Sequence, residues 1–222
     1  MFLFMNRLDL QDKTDEEVKA LADAGEYIAI FEYGIRLFNQ DRYRESYEYL
    51  KQIEKYDNFL VWERIVDIAY YYEKDLLTDK EIFDLLTKIH NKWASSYTYI
   101  LADFYRDGRG VKKDLKKYVE LLRECANDGS CYAVAELARC YEEGIGVRKS
   151  LKEAFKIYYY FYDEHGRMDY WCAYRVAIYI LNEWGGAKKN MNEIKFYLNY
   201  ASRGNREAKK LYIELFSEEP NY

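Results

Sequence analysis

The chain has 222 residues, a formal net charge of −5 and a sequence pI near 5.3, so it can bury a sizeable core, and it should not be drawn to nucleic acid or anionic membranes. Its single proline, Pro220, lies in the tail. With Ala, Glu, Lys and Leu throughout, the chain is free to be helical nearly everywhere, and we predict an all-α protein.

The 26 tyrosines are the most unusual feature of the composition. A tyrosine can bury its ring while its hydroxyl stays in water or bonds a partner's polar group. The rings could form the half-exposed rim of a thin repeat core, or they could form a binding surface, where tyrosine is enriched. We favour the first interpretation for most of them.

The segment from Met1 to Met5 is apolar, but it is short and no basic segment precedes it. We expect neither a signal peptide nor a membrane span. The prediction is a cytoplasmic protein with reduced cysteines.

The first helix pair is predicted from periodicity beginning at Tyr27. A helix runs from Tyr27 to Phe38, and Asp41 is placed to cap a second helix. The small residues Gly34 and Ser46 would let the two helices approach closely. The spacing of these positions resembles a tetratricopeptide (TPR) repeat.

A second pair follows with the same layout. Periodicity predicts a helix from Leu60 to Lys74, and the sequence from Thr78 to Glu81 predicts a capping box for a helix that ends at Lys92.

The segment Asp107 to Leu115 reappears 36 residues later as Glu143 to Leu151, each with a G-x-G-V turn. A fixed period of this length is typical of stacked helical arrays. The turns follow Leu101-Ala102 and Leu137-Ala138, and this pattern is similar to the Sel-1-like repeat family, in which glycine is usual after the leucine. A third copy leads to Gly185. In the first helix of each repeat one position is expected to hold a small residue, and we call it the small position. It is aligned at Gly34, Ala69, Ala102, Ala138, Ile178 and Ile213.

The resemblance implies a right-handed α-α superhelix, a solenoid of about six antiparallel helix pairs. We expect a single domain over residues 1–222, with TPR-like repeats in residues 27–92 and Sel-1-like repeats in residues 97–216.

In TPR-like proteins the concave surface of the stack binds peptides or partner domains. The resemblance therefore predicts a non-enzymatic scaffold or adaptor that binds a protein or peptide partner. A dedicated inhibitor or effector that blocks another protein's surface is the alternative, and an enzyme or small-molecule sensor is a third. The concave positions carried over from the family are Tyr70, Glu73, Tyr99, Asp103, Arg106, Tyr132, Arg139, Glu142, Arg175 and Tyr179.

No catalytic or metal-binding pattern is evident in the sequence. The G-x-G turns follow helices and lack the Gly-Lys-Ser/Thr ending of a phosphate loop, so we expect structural turns with positive φ. The four cysteines lack a C-x-x-C pair and the chain has two histidines, so we expect free, mostly buried thiols and no zinc, other metal or cofactor. Basic pairs after the turns should form a solvated edge. They are Lys112-Lys113, Arg148-Lys149 and Lys188-Lys189.

In the first repeat the equivalent concave positions are apolar: Ile28, Phe31, Ile35 and Phe38. We expect them to be covered, either by residues 1–10 or by a second copy of the chain, which would make a homodimer through the N-terminal repeat.

Overall fold

The computed structural model describes residues 10–92, 97–165 and 169–221, with the side chains of 161–165 left out. In these ranges the chain forms twelve α-helices and no β-strand, which confirms the all-α prediction. The helices are α1 (Asp15–Asp23), α2 (Tyr27–Asn39), α3 (Tyr43–Ile53), α4 (Phe59–Asp67), α5 (Asp79–Lys92), α6 (Tyr97–Asp107), α7 (Leu115–Asn127), α8 (Cys131–Glu143), α9 (Leu151–His165), α10 (Tyr170–Leu181), α11 (Met191–Ala201) and α12 (Arg206–Phe216). A π-helical turn, Ile68–Tyr72, extends α4, and a 3-10 turn, Trp184–Gly186, follows α10.

The helices follow one another as five pairs, from α2/α3 to α10/α11, with α1 and α12 at the two ends. Helix α1 packs on α2, and α12 packs on α11. None of the helices in the described ranges is long and apolar enough to cross a membrane.

The chain divides into two compact units. The first contains the chain up to Phe104 together with Arg109–Lys112, and the second contains Tyr105–Gly108 and the chain from Lys113 onward. The division falls within α6 and the turn that follows it. The single domain over residues 1–222 stays a prediction.

Close approach of α2 and α3 depends on two small residues. A Cβ on Gly34 would lie 2.8 Å from Leu50, and the buried Ser46 hydroxyl donates a 2.7 Å hydrogen bond to the Gly34 carbonyl oxygen. Only glycine allows this packing distance without displacing the leucine. The predicted role of the small pair is confirmed.

Two predicted helix caps have different outcomes. The Thr78 box is confirmed, since the Thr78 N–H donates to Glu81 at 2.8 Å and the Glu81 N–H donates back to Thr78 Oγ1 at 3.3 Å. The prediction that Asp41 caps α3 is wrong: Asp41 lies in a tight turn at φ +59°, and its carboxylate accepts a 2.6 Å bond from the Tyr43 hydroxyl instead. Arg42 occupies the cap position without a side-chain bond.

Helix α1 was missed by the periodicity, although Thr14 and Glu17 form a capping box at its start. The segment that precedes α1 packs on the first repeat. Arg36 of α2 donates hydrogen bonds to the carbonyl oxygens of Leu10, at 2.7 Å, and Lys13, at 2.8 Å.

Of the four apolar concave positions, Phe31 is buried, whereas Ile28, Ile35 and Phe38 are half-buried. The Arg64 guanidinium lies 4.2 Å from the centre of the Phe38 ring. Leu10 is buried, and residues 1–9 lie outside the described residues, so covering by the whole N-terminal segment stays a prediction.

The G-x-G turns have the predicted positive φ at both glycines, and the second glycine also contacts the preceding repeat. A Cβ on Gly146 would lie 2.0 Å from the Leu115 carbonyl oxygen, at the start of α7. The equivalent distance is 2.3 Å from Gly110 to Asp79 and 2.5 Å from Gly185 to Leu151. Each of these turns therefore sits against the start of the second helix of the repeat before it, where only hydrogen fits.

The spacing between the turn glycine and the small position corrects the alignment of the fifth repeat. Gly146 follows Ala138 by eight residues, and Gly185 follows Ala177 by the same eight. Ala177 is fully buried like Ala138, whereas Ile178 is half-exposed. The small position is therefore Ala177, and the predicted alignment at Ile178 is wrong by one residue.

Several tyrosines belong to the core of the second unit. Tyr118, Tyr158, Tyr179 and Tyr212 are each at most 1% exposed. Three of their hydroxyls donate to carboxylates of the same unit. These four rings are core residues with satisfied or buried hydroxyls, rather than the half-exposed rim that was predicted for most tyrosines.

The four cysteines are free thiols, as predicted, and Cys131 is the one that is only half-buried. Burial raises the pKa of Cys125 and Cys140 to about 11 and the pKa of Cys172 to about 12. We refer to these as the three buried thiols.

Candidate functional site

A cavity of about 590 Å³ lies between α8 and α10 in the second unit, and we call it the α8–α10 cavity. Seven of its lining residues come from α8, one from α9, and three from α10 and its N-cap. They are Cys131, Tyr132, Ala135, Glu136, Arg139, Glu142, Glu143, Tyr158, Asp169, Trp171 and Arg175. On α8 these residues recur every three to four positions, so they share one face of the helix.

Half of the predicted site residues meet at this cavity. Tyr132, Arg139, Glu142 and Arg175 line it. Tyr179 is fully buried, and its hydroxyl donates a 2.7 Å hydrogen bond to Glu142 Oε1. Its place in a site would therefore be to position Glu142.

The half-buried Glu142 is the centre of a hydrogen-bond network. Arg175 Nη2 donates to Glu142 Oε1, the same oxygen that accepts the Tyr179 hydroxyl. The Arg175 guanidinium lies 5.9 Å from the Tyr158 ring centre and 5.7 Å from the Tyr179 ring centre. Burial, and then the bond to Glu142, raises the pKa of Tyr179, so this hydroxyl remains a donor.

Arg139 is held by a second network on α8. Its Nε and Nη2 donate to the two carboxylate oxygens of Glu136, at 3.2 and 2.5 Å, and the Tyr118 hydroxyl also donates to Glu136, at 3.0 Å. Glu143 lies farther away, with 3.6 Å between its oxygen and Arg139 Nη1. The bond with Glu136 raises the pKa of Arg139. Both arginines of the cavity are thus oriented by the protein's own carboxylates.

The mouth of the cavity carries two exposed aromatic rings. Tyr132 is 55% exposed and Trp171 is 46% exposed. In the corrected register the two occupy the same position of successive repeats, because both precede the second turn glycine, Gly146 or Gly185, by fourteen residues. Trp171, Glu136, Tyr158 and Asp169 are not among the predicted site residues. The equivalence of Tyr132 and Trp171 in successive repeats is the signal that would have found the tryptophan.

The remaining predicted residues lie elsewhere. Tyr70 lines a smaller cavity of about 270 Å³ in the first unit, and Glu73 forms an ion pair with Arg44 at 2.9 Å. Tyr99 and Asp103 are half-buried on the part of α6 in the first unit, and Arg106 is half-buried in the second.

Two of the predicted basic pairs do contribute to one surface. Lys113 and Arg148 line an open depression at the start of α7, together with Lys116 and the turn glycines Gly144 and Gly146. This is consistent with the predicted basic edge.

No family model matches the sequence, and no curated protein matches it. Solved structures do resemble it. A Sel1 repeat protein from Oxalobacter formigenes has a TM-score of 0.67 at 20% identity, over 83% of this chain and 74% of that one. The protein c5321, a protective antigen of uropathogenic Escherichia coli with an SLR fold, has a TM-score of 0.74 at 17% identity. That similarity covers 92% of this chain but 44% of c5321, so this chain spans less than half the length of that protein.

These similarities show the fold, which is the all-α helical-repeat, or solenoid, fold of Sel1-like repeat proteins.

Proposed function

We propose that this protein is a non-enzymatic interaction module that binds a segment of a partner polypeptide in the α8–α10 cavity. The observation that supports the proposal is the pairing of two exposed aromatic rings, Tyr132 and Trp171, with charged side chains that are already oriented. Exposed aromatics beside arginines are the usual anchors of protein interfaces. Because ion pairs hold the arginines in place, binding loses little side-chain entropy.

The exposed rings are the residues to change in a test, since the half-buried, paired charges cannot be removed without affecting folding. Replacing Arg175 by alanine would leave the Glu142 carboxylate, 14% exposed, without its cation, at a cost of about 3–5 kcal/mol in folding free energy. Lost binding by such a variant would not separate folding from recognition.

The experiment compares Tyr132→Ala and Trp171→Ala with Tyr160→Ala. Tyr160 is 58% exposed, close to the 55% of Tyr132, but it does not line the cavity. A partner is first captured from the native cell with the wild-type protein and identified, and its affinity for each variant is then measured by calorimetry.

We expect each cavity variant to weaken binding about tenfold or more, as loss of an anchor does, while Tyr160→Ala binds like the wild type. Circular dichroism checks that all three variants keep their helices. Equal binding by the cavity variants and the wild type would refute the site.

An adaptor and a dedicated inhibitor would use the same contacts, so we propose binding rather than a particular outcome for the partner. The predicted residues Tyr70, Glu73, Tyr99 and Asp103 are candidates for additional contacts in the first unit, and Arg106 in the second. Four free thiols suit a reducing compartment such as the cytoplasm, where we propose the protein works.

A further inference from the structure

We propose that the α8–α10 cavity takes a basic side chain, lysine or arginine, from the partner polypeptide. This inference rests on the proposed function and names the chemistry of the anchor. It follows from charge, from the placement of hydrogen-bond acceptors, and from the exposed rings.

The described residues that line the cavity carry a net negative charge. Among them four carboxylates, Glu136, Glu142, Glu143 and Asp169, face two guanidiniums, those of Arg139 and Arg175. The excess of two negative charges in a concave site attracts a cation and repels an acidic anchor.

Three of the carboxylates also keep an oxygen for a ligand. Glu142 receives both of its hydrogen bonds at Oε1, and Asp169 receives the backbone N–H bonds of the first turn of α10 at Oδ1. Within the described ranges neither second oxygen has a protein donor. Glu143 is 52% exposed, and its one ion-pair contact, to Arg139, is 3.6 Å long.

Each guanidinium is partly engaged by a carboxylate of the cavity. Arg139 directs Nε and Nη2 at Glu136, and Arg175 directs Nη2 at Glu142. The Nε of Arg175 has no hydrogen-bond partner among the described residues, but it is buried. The open carboxylate oxygens suit an ammonium or guanidinium group.

The exposed rings at the mouth of the cavity also suit a long basic side chain. Tyr132 and Trp171 are each about half exposed, and aromatic rings attract cations and pack against the alkyl stem of lysine or arginine. An apolar anchor could use the rings, but it would remove carboxylates from water without pairing them, which is costly.

The first test selects a phage-displayed library of random hexapeptides on the wild-type protein and removes phage that also bind Tyr132→Ala. We expect enrichment of lysine or arginine at one position of the selected peptides. Enrichment of acidic or apolar residues without a basic one would overturn the inference, and so would a library that yields no binder dependent on Tyr132.

The second test measures the affinity of one selected peptide for three charge-neutralising variants. Asp169→Asn keeps an N-cap for α10, because asparagine caps as well as aspartate, and Glu143→Gln changes an exposed side chain. The control is Glu207→Gln, an exposed residue at the start of α12 outside the cavity.

We expect about tenfold weaker binding for Asp169→Asn and for Glu143→Gln, as for charge pairs at interfaces, and unchanged binding for the control. Loss of affinity should be smaller at high salt, where the charges are screened. Affinity equal to wild type in both cavity variants would overturn the basic anchor.

The two proposals can fail separately. If the captured partner depends on Tyr132 but its bound segment carries no essential lysine or arginine, the cavity is a binding site with a different anchor. If the partner binds Tyr132→Ala normally, the site itself is refuted. Self-association abolished by Tyr132→Ala, without peptide binding, would assign the cavity to a second copy of the chain and overturn the inference.

Discussion

Replacing Gly146 by alanine should destabilise the protein far more than the same change at Gly144, although both glycines belong to one turn. Both have positive φ, +65° at Gly146 and +81° at Gly144, so a Cβ costs about 1 kcal/mol of backbone strain at either position. At Gly144 the new Cβ lies 3.4 Å from its nearest neighbour, which is ordinary contact.

At Gly146 the new Cβ would lie 2.0 Å from the Leu115 carbonyl oxygen. Because real Cβ contacts stay above 3.0 Å, the turn and the start of α7 must separate by about 1 Å. Overpacking of this kind costs about 1–3 kcal/mol. The expected loss in free energy of unfolding is therefore about 3 kcal/mol for Gly146→Ala and about 1 kcal/mol for Gly144→Ala.

Urea unfolding followed by far-ultraviolet circular dichroism measures the difference. Gly129→Ala is the matched control for backbone strain, since Gly129 has φ +87° and no atom within 4 Å of the position that a Cβ would take. Gly129→Ala and Gly144→Ala should have similar effects. If Gly146→Ala costs no more than these two, the contact between turn and preceding repeat does not limit the residue at this position.

Packing, charge and burial each lead to one further prediction. Gly34→Ala should destabilise the wild-type protein by about 1–3 kcal/mol. In a Leu50→Ala variant the 2.8 Å contact is gone, and the same change should stabilise the protein because alanine is the better helix former. A double-mutant cycle measures this change of sign. The hydrogen bond from Arg36 lowers the pKa of Asp15 in the folded protein. The stabilisation of the fold by this bond is therefore present above the pKa that Asp15 has in the unfolded chain, and it is lost as the pH falls through the lower pKa of the folded state. Asp15→Asn should cost less than about 1 kcal/mol at neutral pH, because Asp15 is 45% exposed, and nothing in strong acid, as urea titrations at both pH values would show. Iodoacetamide should label Cys131 in the folded protein and spare the three buried thiols until urea is added, and mass spectrometry showing one rate for all four would contradict their burial.

The alignment of the fifth repeat shows where sequence reasoning failed and why. The interval between turn glycines lengthens from 36 residues, Gly110 to Gly146, to 39 residues, Gly146 to Gly185. Periodicity alone could not decide which of two adjacent apolar residues, Ala177 or Ile178, takes the small position. The contact of Gly185 with the preceding repeat decides it, and the same correction brings Trp171 into the site.

The sequence by itself determined the helices from α2 onward and the glycine turns, because helical periodicity and turn conformation depend on neighbours within a few positions along the chain. It also identified the small pair Gly34 and Ser46, through the repeat spacing that the segment resembles. Only the tertiary structure decided which charges and rings meet. Arg175 and Glu142 are 33 residues apart in the chain, and their bond depends on how one repeat packs against the next. That packing also buries Tyr179 while it leaves Tyr132 exposed, a difference that a shared helical period cannot encode.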